Sequence, residues 1–221
     1  MRINLYIAKS SQLSRRSADQ AIASSRVRIN GIIAKIGDSV DSKDLVTLDN
    51  QSIKLPNTNT TIILNKPVGY VCSRSGQGNH TVFELLPKDL QKLQTVGRLD
   101  KNSSGLIILS DDGDLAHRLT HPRFAKQKIY EVRLDRTLSV KHQADIDGPG
   151  VKLEDGPSRF GLTRLGKDRI NWRITMHEGR NRQIRRTFAE QGYQVKALHR
   201  TQFDEYSLGK LKTGKFIIAD I

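Results

Sequence analysis

Gly97-Arg98-Leu99-Asp100-Lys101-Asn102-Ser103-Ser104-Gly105 runs directly into Leu106-Ile107-Ile108-Leu109. The last four residues form a short apolar run of the kind that fills a sheet interior. The two bracketing glycines let the backbone bend sharply on either side of a mostly polar loop. Leu99 is the single apolar residue inside that loop and is expected to anchor it inward. Asp100 is its one carboxylate, flanked by Arg98 and Lys101. An acid on a loop at the edge of a rigid sheet, among cations, is placed for chemistry. The same residues also suit a solvated turn, and the stretch alone does not separate the two.

The 221 residues are 36% hydrophobic and 27% charged, an ordinary globular composition long enough for a small and a larger unit. Thirty-seven Lys and Arg against 23 Asp and Glu leave a net charge of +14, which points to a polyanionic partner. No apolar run approaches a membrane span, and the first residues lack a signal-peptide core. Cys72 is the only cysteine, which excludes an intrachain disulfide and points to a reducing cytoplasm.

Residues 1–55 read as a small unit. A short helix is expected over residues 3–8, then a second over 15–25 capped by Ser14, with Ala18, Ala21 and Ile22 facing a core. Val27-Arg28-Ile29 alternates like a half-buried strand and meets the turn pair Asn30-Gly31. Further strands are expected at 38–40 and 46–48. Residues 51–60 read as a linker, and a larger unit is expected over 61–221. Its strands are placed at 62–64, 106–109, 128–134, 151–153, 159–165, 171–176, 194–203 and 215–218. Helices are placed at 114–120, 139–146 and, capped by Asn181, up to Gln191.

Several local patterns are weighed and set aside. Gly76-x-Gly78 lies in a stretch, 73–81, that reads as a mobile basic loop without the strand, helix and third glycine of a nucleotide site. Asp111-Asp112-Gly113-Asp114 lacks the closing Glu of a calcium loop and reads as a turn. His117 and His121 have ligand spacing, but no acid between them supports a metal site.

Two side chains join Asp100 as candidates. Tyr130 lies in an alternating strand, where it fits either a groove or the packing under a helix. Arg185 sits at the edge of the apolar face made by Ile184 and Phe188. Between residues 164 and 200, ten basic residues meet three acids, half of the net charge. Arg182 and Arg186 are expected to point to solvent, where unpaired cations fit phosphate contact.

Two resemblances draw these residues together. Ser14-Arg15-Arg16, Ala18, Ile22, Val27-Arg28-Ile29-Asn30-Gly31 and Gly37 resemble the RNA-binding domain named after ribosomal protein S-four, whose arginine-bearing helix lies on an RNA backbone. Asn65-Lys66-Pro67-x-Gly69, Gly97-Arg98-Leu99-Asp100 with Ser104-Gly105-Leu106, Lys128-x-Tyr130, and Gly179-Arg180-x-Arg182-Gln183-Ile184-Arg185 resemble, in order, the motifs of the RsuA-like branch of the pseudouridine synthases. Ser103 stands where that branch commonly has threonine.

The resemblance implies an α+β fold: a catalytic domain on a mixed, mainly antiparallel sheet, preceded by a small α/β RNA-binding domain. It implies an isomerase that detaches a flipped-out uracil of ribosomal RNA at N1, turns it and rejoins it through C5. Asp100 would act at the ribose, Arg185 would orient it by opposite charge, and Tyr130 would stack on the base. RNA contacts are expected from Arg15, Arg16, Arg28, Arg98, Lys128, Arg180, Arg182 and Arg186. No metal or cofactor is expected for a redox-neutral rearrangement, nor a membrane, and the chain is expected to act as a monomer. The rival classes are a non-catalytic RNA-binding protein, which needs no Asp100–Arg185 partnership, and a metal-dependent nuclease, which needs clustered carboxylates.

Overall fold

The computed structural model describes residues 1–11, 13–56 and 58–219; Asn57 of the expected linker and residues 220–221 lie outside them. The chain divides into two compact units, Met1–Asn59 and Thr60–Ile221.

In the first unit, α1 (Ile3–Ser10) and α2 (Arg15–Ala23) pack beside a four-stranded sheet. Its strands are β1 (Val27–Ile29), β2 (Ile32–Ile33), β3 (Val46–Leu48) and β4 (Gln51–Ser52), in the order β2-β1-β3-β4. Ser14 caps α2 by accepting from Ser17 N, as its position predicts. Ile3, Ile7, Ala18, Ala21, Ile22 and Val27 close a separate small core. The strand expected at 38–40 does not form: only an isolated bridge joins Arg2 to Ser39. Asp38 instead accepts from Lys35 N in a tight turn.

The second unit is built on nine strands. Along the sheet run β11 (Gly161–Arg164), β12 (Asn171–Met176), β8 (Lys128–Leu134), β13 (Val195–Phe203), β7 (Ser104–Ser110), β5 (Thr61–Lys66) and β15 (Phe216–Ile218). β6 (Gln94–Val96) pairs with β7, and β14 (Tyr206–Ser207) with β13. Every pairing is antiparallel except β7 with β13 at the centre, so the sheet is mixed and mainly antiparallel as expected.

The apolar run 106–109 is continuous because both faces of β7 are covered. Ile107 and Leu109 face a core that also holds Trp172, Ile174 and Phe188. Leu106 and Ile108 face a second core closed by Leu115 and Leu119 of α3 (Gly113–Thr120). Each such fully buried Leu or Ile contributes about 1.5–3 kcal/mol.

The helix expected over 139–146 is α4 (Val140–Asp147), and Ser139 is its N-cap, accepting from His142 N. α5 (Gln183–Glu190) is capped differently from the expectation. Arg182, not Asn181, is the N-cap, and it holds a left-handed backbone at φ 46°. Gln183, the first helical residue, is held on both sides of this turn: its Oε1 accepts from Arg180 N and its Nε2 donates to Ser158 Oγ. Ser158 belongs to a hairpin of β9 (Val151–Leu153) and β10 (Gly156–Ser158), a two-stranded sheet of its own. The strand predicted over 159–165 is the shorter β11, and β10, which the sequence did not suggest, ends before it at Ser158.

The loop 73–81 is tied down rather than loose. Arg74 donates to the carbonyls of Gln91, Lys92 and Leu93 and lies 4.2 Å from the Phe83 ring centroid.

Candidate active site

One row of residues crosses the middle of the large sheet. Ile174 is paired with Tyr130, Tyr130 with Arg200, Arg200 with Gly105, and Gly105 with Lys66. Directly paired positions share a face, so the sheet register itself brings a tyrosine, an arginine and a lysine to the mouth of the 97–105 loop. Gly105 is needed there for a steric reason. Its φ is +106°, and an added Cβ would lie 2.2 Å from Arg200 O.

The loop is the connection between the antiparallel strands β6 and β7. Leu99 is buried, as expected, and its N–H and C=O both meet Cys72 Sγ at 3.4 Å. Gly69 N donates to Lys101 O, and Lys101 Nζ donates to Asn79 Oδ1 at 2.6 Å.

Two cations then grip the loop by its backbone. Lys66 is fully buried and donates to Ser103 O at 2.6 Å and Pro67 O at 2.9 Å. Burial pushes its pKa down to about 8, partly offset by Cys72 and Asp100. Arg185 donates to Asn102 O at 2.8 Å and, through its other arm, to Val195 O at 2.9 Å. Burial and the neighbouring Arg182 push its pKa down, while Asp100 opposes them.

Asp100 is thereby held without its oxygens being used. The carboxylate is 33% exposed and, among the described residues, has one ion pair, to Arg182 Nη1 at 3.7 Å. That distance is beyond a hydrogen bond. Arg185 makes no close ion pair with Asp100: it bonds the loop backbone and interacts with Asp100 by charge alone, while Arg182 makes the ion pair.

A cleft of about 370 Å³ opens over this row, lined by Asp100, Tyr130, Arg185, Arg200, Lys128 and Phe203 among others. Tyr130 fulfils both readings at once, since it is 7% exposed in the core and still forms cleft wall. Lys128 also lines the cleft. Its ammonium donates to Lys126 O and lies 5.1 Å from the Phe203 ring centroid. Burial and Arg200 push its pKa down. Arg98 and Arg182 are exposed at the cleft.

Arg186 is not the free, solvent-pointing cation expected, and Arg180 beside it is held in the fold as well. Arg186 makes two bonds to the Asp155 carboxylate, at 2.9 and 2.7 Å. Arg180 bonds Asp155 Oδ1 and the carbonyls of Asp155, Gly156 and Pro157. These two arginines hold the β9–β10 hairpin against α5. Asp155 lies 25 residues before Arg180 in the chain, so counting acids near residues 164–200 could not find it.

In the first unit, Arg15, Arg16 and Arg28 are exposed. Arg15 reaches Asn4 Oδ1 at 3.5 Å, and Arg28 donates to Gly31 O. Elsewhere, Asp112 caps α3, and His117 and His121 form a ring cluster with Phe124. Sequence reasoning quoted Lys66 only as part of a domain opening, and it missed Arg200 altogether. The signal for both was their alignment with Gly105, which only the strand register reveals.

A family model for RNA pseudouridylate synthase matches residues 60–190. An Aquifex aeolicus protein named "Uncharacterized RNA pseudouridine synthase" is 35% identical, covering 98% of this chain and 89% of its own length. The ribosomal large subunit pseudouridine synthase B of Pseudomonas aeruginosa is 36% identical over 92% of this chain, which spans 55% of that relative. A crystal structure of a pseudouridylate synthase superposes with TM-score 0.71 at 32% identity, covering 100% of this chain and 96% of the other. With its ordered motifs brought to one cleft, the chain belongs to the RNA pseudouridylate synthase family.

Proposed function

We propose that this chain converts a uridine of large-subunit ribosomal RNA to pseudouridine, with Asp100 as the group that acts on the ribose. The substrate follows from the relatives named for that subunit. The observation that carries the mechanism is the state of Asp100: its loop is clamped through backbone carbonyls by two cations, and its oxygens are left free. Such preorganisation keeps a reactive group in place without consuming it.

The target base leaves its stack and enters the cleft, where Tyr130 offers a ring face. Asp100 then either attacks C1′ or removes a ribose proton. Either path breaks the N1–C1′ bond, after which the base turns and C5 bonds C1′, releasing the Asp100 carboxylate on the first path and taking back the ribose proton from Asp100 on the second, and the C5 proton is lost to solvent. Arg185 keeps the loop in register, and Arg98 and Arg182 meet phosphates at the cleft mouth. The first unit, with Arg15, Arg16 and Arg28 exposed, acts as an S-four-type RNA-binding domain. The reading needs neither metal nor cofactor and takes the chain as a cytoplasmic monomer; no helix of the described residues is long and apolar enough to cross a membrane.

The test is tritium release from large-subunit RNA labelled at uridine C5, without added metal, followed by mapping of the new pseudouridine. Release that vanishes in Asp100→Asn supports the reading; RNA binding with no release makes the chain a non-catalytic binder. Removing residues 1–59 should leave a folded second unit with weaker RNA binding.

A further inference from the structure

The cleft contains a cation that nothing in the described residues balances. Arg200 is 2% exposed, and its one hydrogen bond there runs from Nε to Leu106 O at 2.8 Å. Its Nη2 is buried with no partner. A guanidinium stays charged, carries five donors and is costly to bury unpaired. The fold nevertheless goes to some length to hold it there. Gly105 lets the Arg200 backbone approach β7, and a register shift between Arg200 and Gln202 turns the strand at this point.

Its neighbours indicate what would satisfy it. The guanidinium lies 5.0 Å from the Phe203 ring centroid and 6.0 Å from that of Tyr130. Met176 and Leu198 line the same cleft. Flat and apolar surroundings suit a planar base better than a hydrated phosphate, for which the exposed Arg98 and Arg182 are available.

We propose that Arg200 is a further catalytic residue, donating from its free guanidinium nitrogens to a ring carbonyl oxygen of the flipped uracil and balancing the charge that develops on the base. This rests on the pseudouridine synthase reading. When N1–C1′ breaks, the electron pair passes to N1 and spreads onto the carbonyl oxygens. Asp100 takes up C1′, or the loss of a ribose proton to Asp100 relieves it. C5 then bonds C1′ with that electron pair as the Asp100 carboxylate leaves, or as Asp100 returns the proton to the ribose, and the C5 proton goes to water. A fixed positive charge beside the ring stabilises the separated base on either path.

Arg200→Gln and Arg200→Lys are assayed on the full chain by single-turnover tritium release and by RNA binding, with thermal melting as the folding control. Arg200→Gln should slow the chemical step about 10²–10³-fold, with RNA affinity within about threefold of the parent. Arg200→Lys keeps the charge but loses the fork, so its loss should be smaller. A folded Arg200→Gln that turns over at the parental rate overturns the proposal. So does a parallel loss of rate and affinity with a salt slope reduced by about one, which marks a phosphate contact.

A second measurement uses the unaltered chain and covers variants that fail to fold. Free 6-azauracil, whose ring ionises more readily than uracil, is titrated while ring and guanidinium signals are followed by NMR. Its binding should tighten as the ring ionises, relative to uracil at the same pH, with the shifts centred on Arg200. Absence of that tightening overturns the proposal. If the parent chain itself releases no tritium, the function reading fails, and the 6-azauracil result still decides whether Arg200 receives an anionic base.

Discussion

Two aspartates meet the arginines around α5, and they are treated in opposite ways. Asp155 accepts close bonds from Arg180 and Arg186, and the Arg186 bonds hold its carboxyl below the usual carboxylate range. Asp100 has one distant ion pair, while Lys66 and Arg185 hold the backbone around it. Asp155 is saturated with donors and holds structure; Asp100 is positioned through its neighbours, which on the proposed function keeps its oxygens available for reaction. Four arginines within seven residues divide between these tasks, although they look alike in the sequence.

Removing each charge separates the two roles most sharply. Asp100→Asn is nearly isosteric, so the fold and RNA affinity should hold while pseudouridine formation drops to background. Asp155→Asn should do the reverse: a lower melting temperature from the loosened hairpin, with measurable turnover retained. An active, folded Asp100→Asn protein would end the distinction.

Next in size is Arg185→Lys. A lysine cannot bridge Asn102 O and Val195 O together, and a misplaced loop can cost about 10²-fold in rate. RNA affinity should barely change. Equal losses in binding and turnover would make Arg185 a phosphate contact instead.

The pH profile tests the other clamp. With its pKa at about 8, folded Lys66 loses its proton before an unfolded lysine at 10.5 does. The stability contribution of this group therefore rises with pH between those values. Activity should move the opposite way, declining above about pH 8 as the cation beside the Asp100 loop is lost. Lys66→Met should lower activity and remove that limb; a limb that survives in Lys66→Met belongs to another group.

The smallest effect is on salt dependence. Arg182→Ala should reduce the slope of log affinity against log salt by about 0.9 or less, the value for one phosphate contact. Arg186→Ala should leave the slope nearly unchanged and lower the melting temperature, since its charge is already met by Asp155. Equal slopes lost in both variants would erase the division within the cluster.

The sequence by itself determined most of the local structure. The cap at Ser14, the helix beginning near Ser139, the continuous run 106–109, the alternating strand 128–134 and the loop bearing Asp100 all follow from local periodicity and hydrogen-bonding rules. Its ordered motifs also indicated the family and the residue types of the site. The tertiary structure decided which cation serves which acid. Asp155 comes from a hairpin whose two short strands carry little pattern, and it gives Arg180 and Arg186, two expected RNA contacts, a carboxylate partner within the fold. The parallel pairing of β7 with β13 sets Arg200 against Gly105, and the antiparallel pairing of β5 with β7 sets Lys66 there too, so that 134 residues of chain separate the two cations. Charge partners are chosen by register and packing between distant segments, and no local spacing in a sequence records them.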